Sequence, residues 1–197
     1  MKTNHILLAI AIITGSILAS FDANAQTDER APGIYAVVDG QSTPLTFIIG
    51  STSAGGVGAL GIEVGKKKVN FKGETSDTKA TDTFVLVIDQ EKKHATKTFK
   101  VYDPFYKDMT PDALIIIPLQ SSKNKRVYDE GVSLNGFQVE KKARVPFEWE
   151  MISDNSFKIS APSLVPGEYG IAFKPAKLAE FDLTTIFQFT VEEPQAE

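Results

Sequence analysis

The chain has 197 residues, 42% of them apolar, a formal net charge of −4 and no cysteine. That length suffices for one well-buried core without disulfides. The charge balance argues against nucleic acid and anionic membranes as partners, because both are bound largely through Lys and Arg. Missing thiols exclude cysteine nucleophiles, thiolate zinc sites and an acylated amino-terminal cysteine.

Residues 1–25 read as a cleavable signal helix: Lys2, an apolar run from Ile6 to Ala19, and the small-x-small triplet Ala23-Asn24-Ala25. Cleavage is expected between Ala25 and Gln26. The apolar run is broken by Thr14, Gly15 and Ser16 and is shorter than the roughly 18–20 residues of a membrane span. The expected address is therefore export, to the periplasm or beyond the cell, with no membrane anchor after signal removal. Losing Lys2 and Asp22 takes one charge of each sign and leaves the net charge at −4. Of the two histidines, His5 departs with the signal and His94 stays, so a metal site built on several imidazoles is excluded within one chain.

After a polar stretch at 26–32, expected to be frayed, short period-two runs are bounded by Gly, Pro, Asp and Ser. Gly33 to Val38 and Leu45 to Ile49 are the first strands, joined by a turn over Asp39 to Pro44. Gly61 to Val64 and Lys67 to Lys72 flank a Gly65-Lys66 hairpin turn, with Val69 and Phe71 on a core face and Lys68, Asn70 and Lys72 on a wet one. The run Lys66-Lys67-Lys68 is a solvated cluster rather than a binding patch. Phe84 to Ile88 and Leu114 to Leu119 are continuous apolar runs of strand length, which predicts burial on both faces. Single helical turns are expected at Thr110 to Ala113 and Lys177 to Phe181.

From Val145 to Ile152 the residues Val145, Phe147, Trp149 and Met151 share a face, so Trp149 is expected in the core. Ser153-Asp154-Asn155 turns the chain back along Phe157-Lys158-Ile159, and Tyr169 to Phe173 and Thr185 to Val191 complete the set. Nine to eleven strands predict an all-β fold, a two-sheet antiparallel sandwich of immunoglobulin-like type, as one domain over 33–192 with a possible subdivision near 103–111. The last residues, 193–197, are polar and expected to form a flexible tail.

Catalytic motifs fail on context. Gly56-Val57-Gly58-Ala59-Leu60-Gly61 has the letters of a dinucleotide fingerprint but runs on into strand-like Ile62-Glu63-Val64 rather than a helix, and Lys67 stands where a phosphate loop needs Ser or Thr. His94 lies in a charged segment and lacks a nucleophile elbow. Glu148 and Glu150 project from one side of one strand, whereas glycosidase carboxylates face each other across a sugar. Asp77, Asp82, Asp103 and Asp108 are too scattered for a linear calcium loop. No catalytic residue, metal ligand or cofactor is assigned. The candidate partner-binding segment is Tyr102, Asp103, Phe105, Tyr106 and Asp108, aromatics beside acids in an expected loop. In the competing reading, Tyr102 and Phe105 plug one end of the sandwich.

Leu114 to Leu119, Val145-Pro146-Phe147-Glu148, Phe157-Lys158-Ile159, Leu164-Val165-Pro166-Gly167-Glu168-Tyr169 and Phe187-Gln188-Phe189-Thr190-Val191 follow one another in an order that resembles bacterial exported β-sandwich proteins of uncharacterised function. The resemblance implies the fold and no catalytic residue. The functional expectation is a non-enzymatic exported protein that binds a protein or glycan of the cell envelope. A carbohydrate-active hydrolase with paired carboxylates, or a structural subunit assembling by strand addition, are the alternatives.

Overall fold

A computed structural model of the protein describes residues 27–54, 67–92, 105–129, 139, 141–173 and 182–193. The signal segment with Ala25 and Gln26, the Gly56 to Gly61 motif, the Gly61 to Val64 strand, His94, Tyr102, Asp103 and the Lys177 to Phe181 turn lie outside them. The described strands are β1 (Gly33–Val38), β2 (Gln41–Pro44), β3 (Thr46–Ile49), β4 (Ser51–Ala54), β5 (Lys67–Lys72), β6 (Lys79–Ala80), β7 (Thr83–Val87), β8 (Leu114–Ser122), β9 (Lys125–Tyr128), β10 (Glu148–Ser153), β11 (Ser156–Ser160), β12 (Gly167–Phe173) and β13 (Asp182–Val191). Single 3-10 turns stand at Pro111–Ala113 and Lys141–Ala143.

The protein is all-β, with two sheets. One has five antiparallel strands in the order β10-β11-β7-β1-β2; the other runs β3-β13-β12-β8-β9-β5-β4, with β6 attached to β13 by a short parallel pairing. The first turn is shorter than the sequence suggests. Asp39 and Gly40 both have positive φ, 51° and 76°, and make a two-residue hairpin that pairs Val38 with Gln41. Asp-Gly is suited to that geometry because its twist matches the flanking strands. Residues Gln41–Pro44 therefore become strand rather than loop.

The second sheet curls until its ends meet. β3 pairs with β13 at one end of the strand order and β4 with β5 at the other, yet only Gly50 separates β3 from β4. One stretch of chain thus serves as both edges of a nearly closed barrel. At the bend the Gly50 N–H donates to the Thr184 carbonyl at 2.7 Å, and a Cβ there would lie 2.6 Å from both Val69 Cγ1 and Phe71 Cε1. Glycine is required by this close approach of backbone to core.

Two corners join the sheets. Pro44-Leu45 carries the chain from β2 into β3, and Val145-Pro146-Phe147 carries it from a bridge with Ile116 in the barrel into β10. Proline suits both places because it donates nothing to a ladder that must end there. Alternation then sorts side chains between two cores. In β8, Leu114 and Ile116 face the core between the sheets, while Ile115, Ile117 and Leu119 fill the barrel; in β12, Tyr169, Ile171 and Phe173 face the first core and Ala172 the second. This is the physical origin of the unbroken apolar run 114–119. β7 is likewise buried on both faces, from Phe84 to Val87.

Candidate functional site

Phe105 and Tyr106, the described aromatics of the predicted binding segment, do not form an exposed surface. Phe105 and Tyr106 are buried, and Phe105 packs edge-on against Phe173 and Phe187 at centroid distances of 5.6 and 5.5 Å. Asp89 bridges to Tyr106 and its N–H donates to the Phe105 carbonyl, so the segment is laced to the end of β7. Burial, and then the charge of nearby Asp108, raises the Tyr106 pKa. Asp108 alone among the described members of the predicted set is exposed. Phe105 and Tyr106 belong to the core between the sheets, so their side chains are taken up by packing.

β10 departs from expectation in the opposite direction. Trp149 and Met151 pair across the strands with Ile159 and Phe157, two buried residues, so their face of the sheet was read correctly. What is missing is cover. Trp149 is 39% exposed, Met151 63% and Ile152 49%. β10 is the outermost strand of its sheet. The Trp149 ring stands edge-on to Phe157 at 5.6 Å and its indole N–H donates to Asp112 Oδ1 at 3.0 Å, which fixes its orientation. Among the described residues β10 pairs only with β11, leaving its other edge with an open row of backbone groups.

The opposite face of β10 is acidic. Glu148 and Glu150, with Trp149, Lys158 and Ser160, line a shallow hollow of about 260 Å³. Lys158 Nζ reaches Glu150 Oε1 at 3.0 Å. The two carboxylates lie side by side on one strand and do not face each other across a cleft, so the geometry of acid–base hydrolysis is absent here. The register shifts between Met151 and Ser153, so the regular edge is the four residues Glu148 to Met151. Beside it, Asn155 in the β10–β11 turn accepts from the Asp28 N–H at 2.7 Å and donates to the Asp28 carbonyl at 2.9 Å. This clamps the chain ahead of β1 to the hairpin. Asp28 also holds Arg30 in an ion pair, and that hydrogen bonding lowers the Asp28 pKa below its usual value against an opposing effect of burial.

A charged cluster unmarked in the sequence closes one end of the barrel. Arg126 in β9 is buried, donating to the Lys72 carbonyl at 3.0 Å and the Gly73 carbonyl at 3.2 Å, with Glu168 Oε2 at 3.5 Å. Glu168 accepts from the Ser76 N–H at 2.9 Å and the Thr190 hydroxyl at 2.6 Å. Burial lowers the Arg126 pKa, opposed by Glu168 and more weakly by Asp77. Lys125 and Arg126 open β9, whose inward residues continue to Tyr128. With every described hydrogen bond directed inward, this cluster reads as structural.

Among the described residues no helix is long and apolar enough to cross a membrane, and no group of three His, Asp or Glu is placed to hold a metal ion. No protein-family model, curated protein or solved structure matches the chain.

Proposed function

We propose that this protein is an exported, non-enzymatic binding module of the cell envelope that engages a protein partner along β10. The observation that carries the reading is the exposure of Trp149, Met151 and Ile152 on a strand that, among the described residues, is paired along one edge only. Apolar side chains left uncovered on a sheet edge mark an interaction site more often than a neutral surface. Export rests on the signal-like residues 1–25. An immunoglobulin-like classification is supported by the two facing sheets and by the Tyr169 hydroxyl, which donates to the Val165 carbonyl at 2.8 Å at the start of β12, as tyrosine corners do in such sandwiches. The barrel closure at Gly50 sets this chain apart from a plain pair of open sheets.

The test is crosslinking of the mature chain in its native envelope, wild type against Met151→Lys. A partner crosslinked to β10 by the wild type and lost from the variant supports the reading. Equal crosslinking by both removes β10 as the site.

A further inference from the structure

The geometry points to an extended segment of alternating basic and apolar residues as the occupant of the β10 edge, added as a strand and distinct from a second copy of this chain. The inference rests on the reading of β10 as a binding edge and adds the chemistry of what binds there.

A strand laid beside β10 continues both faces of the sheet, because side chains alternate with period two on every strand. On the barrel side its residues would meet Trp149 and Met151, which lack cover. On the outer side they would meet Glu148 and Glu150. Lys158 answers Glu150, while Glu148 has no ion pair among the described residues. Opposite charges paired across strands stabilise a sheet and like charges oppose it. The segment that fits therefore carries Lys or Arg at alternate positions and aliphatic residues between them. Strand addition supplies main-chain hydrogen bonds to any sequence, so these side-chain pairs set the choice of partner.

Self-pairing meets the wrong charges. An antiparallel two-fold centred on Trp149 sets Glu148 against Glu150 twice, and one centred on Glu150 sets that carboxylate against its own copy. Centring on Met151 sets Glu150 against Ile152, where the register shift ends the regular edge. A peptide is favoured over a glycan because the exposed apolar side chains Trp149, Met151 and Ile152 follow one another along a strand whose backbone can pair with a further strand.

Trp149 is the single tryptophan of the chain, so its emission reports on this edge directly. The probes are a blocked Lys-Val-Lys-Val-Lys-Val peptide, its Glu-for-Lys counterpart and a neutral oligosaccharide, titrated against the full mature chain, with sedimentation to measure self-association. The basic peptide should shift Trp149 emission saturably and bind about tenfold or more tightly than the acidic one. In the Glu148→Lys, Glu150→Lys double variant the preference should reverse. Equal binding of both peptides, a response to the oligosaccharide alone, or Trp149 burial through dimerisation of the unliganded chain each overturns the inference. If the envelope partner is lost on Met151→Lys but presents an acidic or neutral segment, the binding edge stands and the partner chemistry falls. If the partner is retained, the edge itself falls.

Discussion

Replacing Arg126 with Met tests whether the barrel end is held by its buried cluster. The substitution keeps most of the side-chain volume and removes the guanidinium, leaving the Lys72 and Gly73 carbonyls without their donor and Glu168 buried with only the Ser76 N–H and Thr190 hydroxyl. Breaking a buried pair on one side costs about 3–5 kcal/mol, chiefly because a charge is stranded away from water. At 3.5 Å the contact between Arg126 and Glu168 is long, so the two carbonyl bonds, each worth about 1 kcal/mol, share the load. For a chain of this size, about 2–4 °C of melting temperature is lost per kcal/mol, which gives a fall of about 6–20 °C. Thermal unfolding followed by circular dichroism reads this, and Glu168→Met and the double variant complete a cycle. The double variant should be less destabilised than the two single losses added together, since no charge is then left alone. A fall below about 2 °C for Arg126→Met, or additivity within about 0.5 kcal/mol, would refute the account.

Three further outcomes follow from the packing. Gly50→Ala places a methyl group against Val69 and Phe71 at the barrel seam and should lower the urea midpoint by the equivalent of about 1–3 kcal/mol; an unchanged midpoint would mean the seam is looser than described. Phe105→Ala should cost about 3–5 kcal/mol by emptying the space against Phe173 and Phe187, seen as an earlier denaturation midpoint, whereas a ligand-contacting loop residue would unfold like wild type. Asp28→Asn addresses pH. The folded pKa of Asp28 lies below its unfolded value of about 3.9, so its contribution is full above that value and is lost as pH falls through the folded one. The partly exposed pair with Arg30 is worth less than about 1 kcal/mol. Denaturation followed from pH 7 into the acid range should show that small deficit for the variant at neutral pH and its decline as pH falls below about 3.9, and a pH-independent deficit would point to the turn contacts instead.

The sequence by itself determined the all-β class and the inward faces of its apolar runs. Continuous apolar runs at Phe84 to Ile88 and Leu114 to Leu119 required two-sided burial, alternation placed Val69 and Phe71 inward, and Ser153-Asp154-Asn155 marked the hairpin between β10 and β11; these follow because strand periodicity is local. Periodicity gives the side a residue faces but not what lies there. Trp149 and Met151 share a face with the buried Ile159 and Phe157, yet they stay exposed on the outermost strand of their sheet, a position that only the strand order decides. Phe105, read as a loop aromatic, is buried because Phe173 and Phe187 come to meet it from strands far along the chain. Arg126 has the composition of a surface residue, and only the convergence of Lys72, Gly73 and Glu168 around it makes its burial affordable. Closure at Gly50 is the same kind of fact: a glycine between an apolar strand and a polar one looks like an ordinary turn until the barrel brings Val69 and Phe71 within contact of it. Which faces are covered, and by what, is a property of long-range pairing, and that is written in the tertiary structure alone.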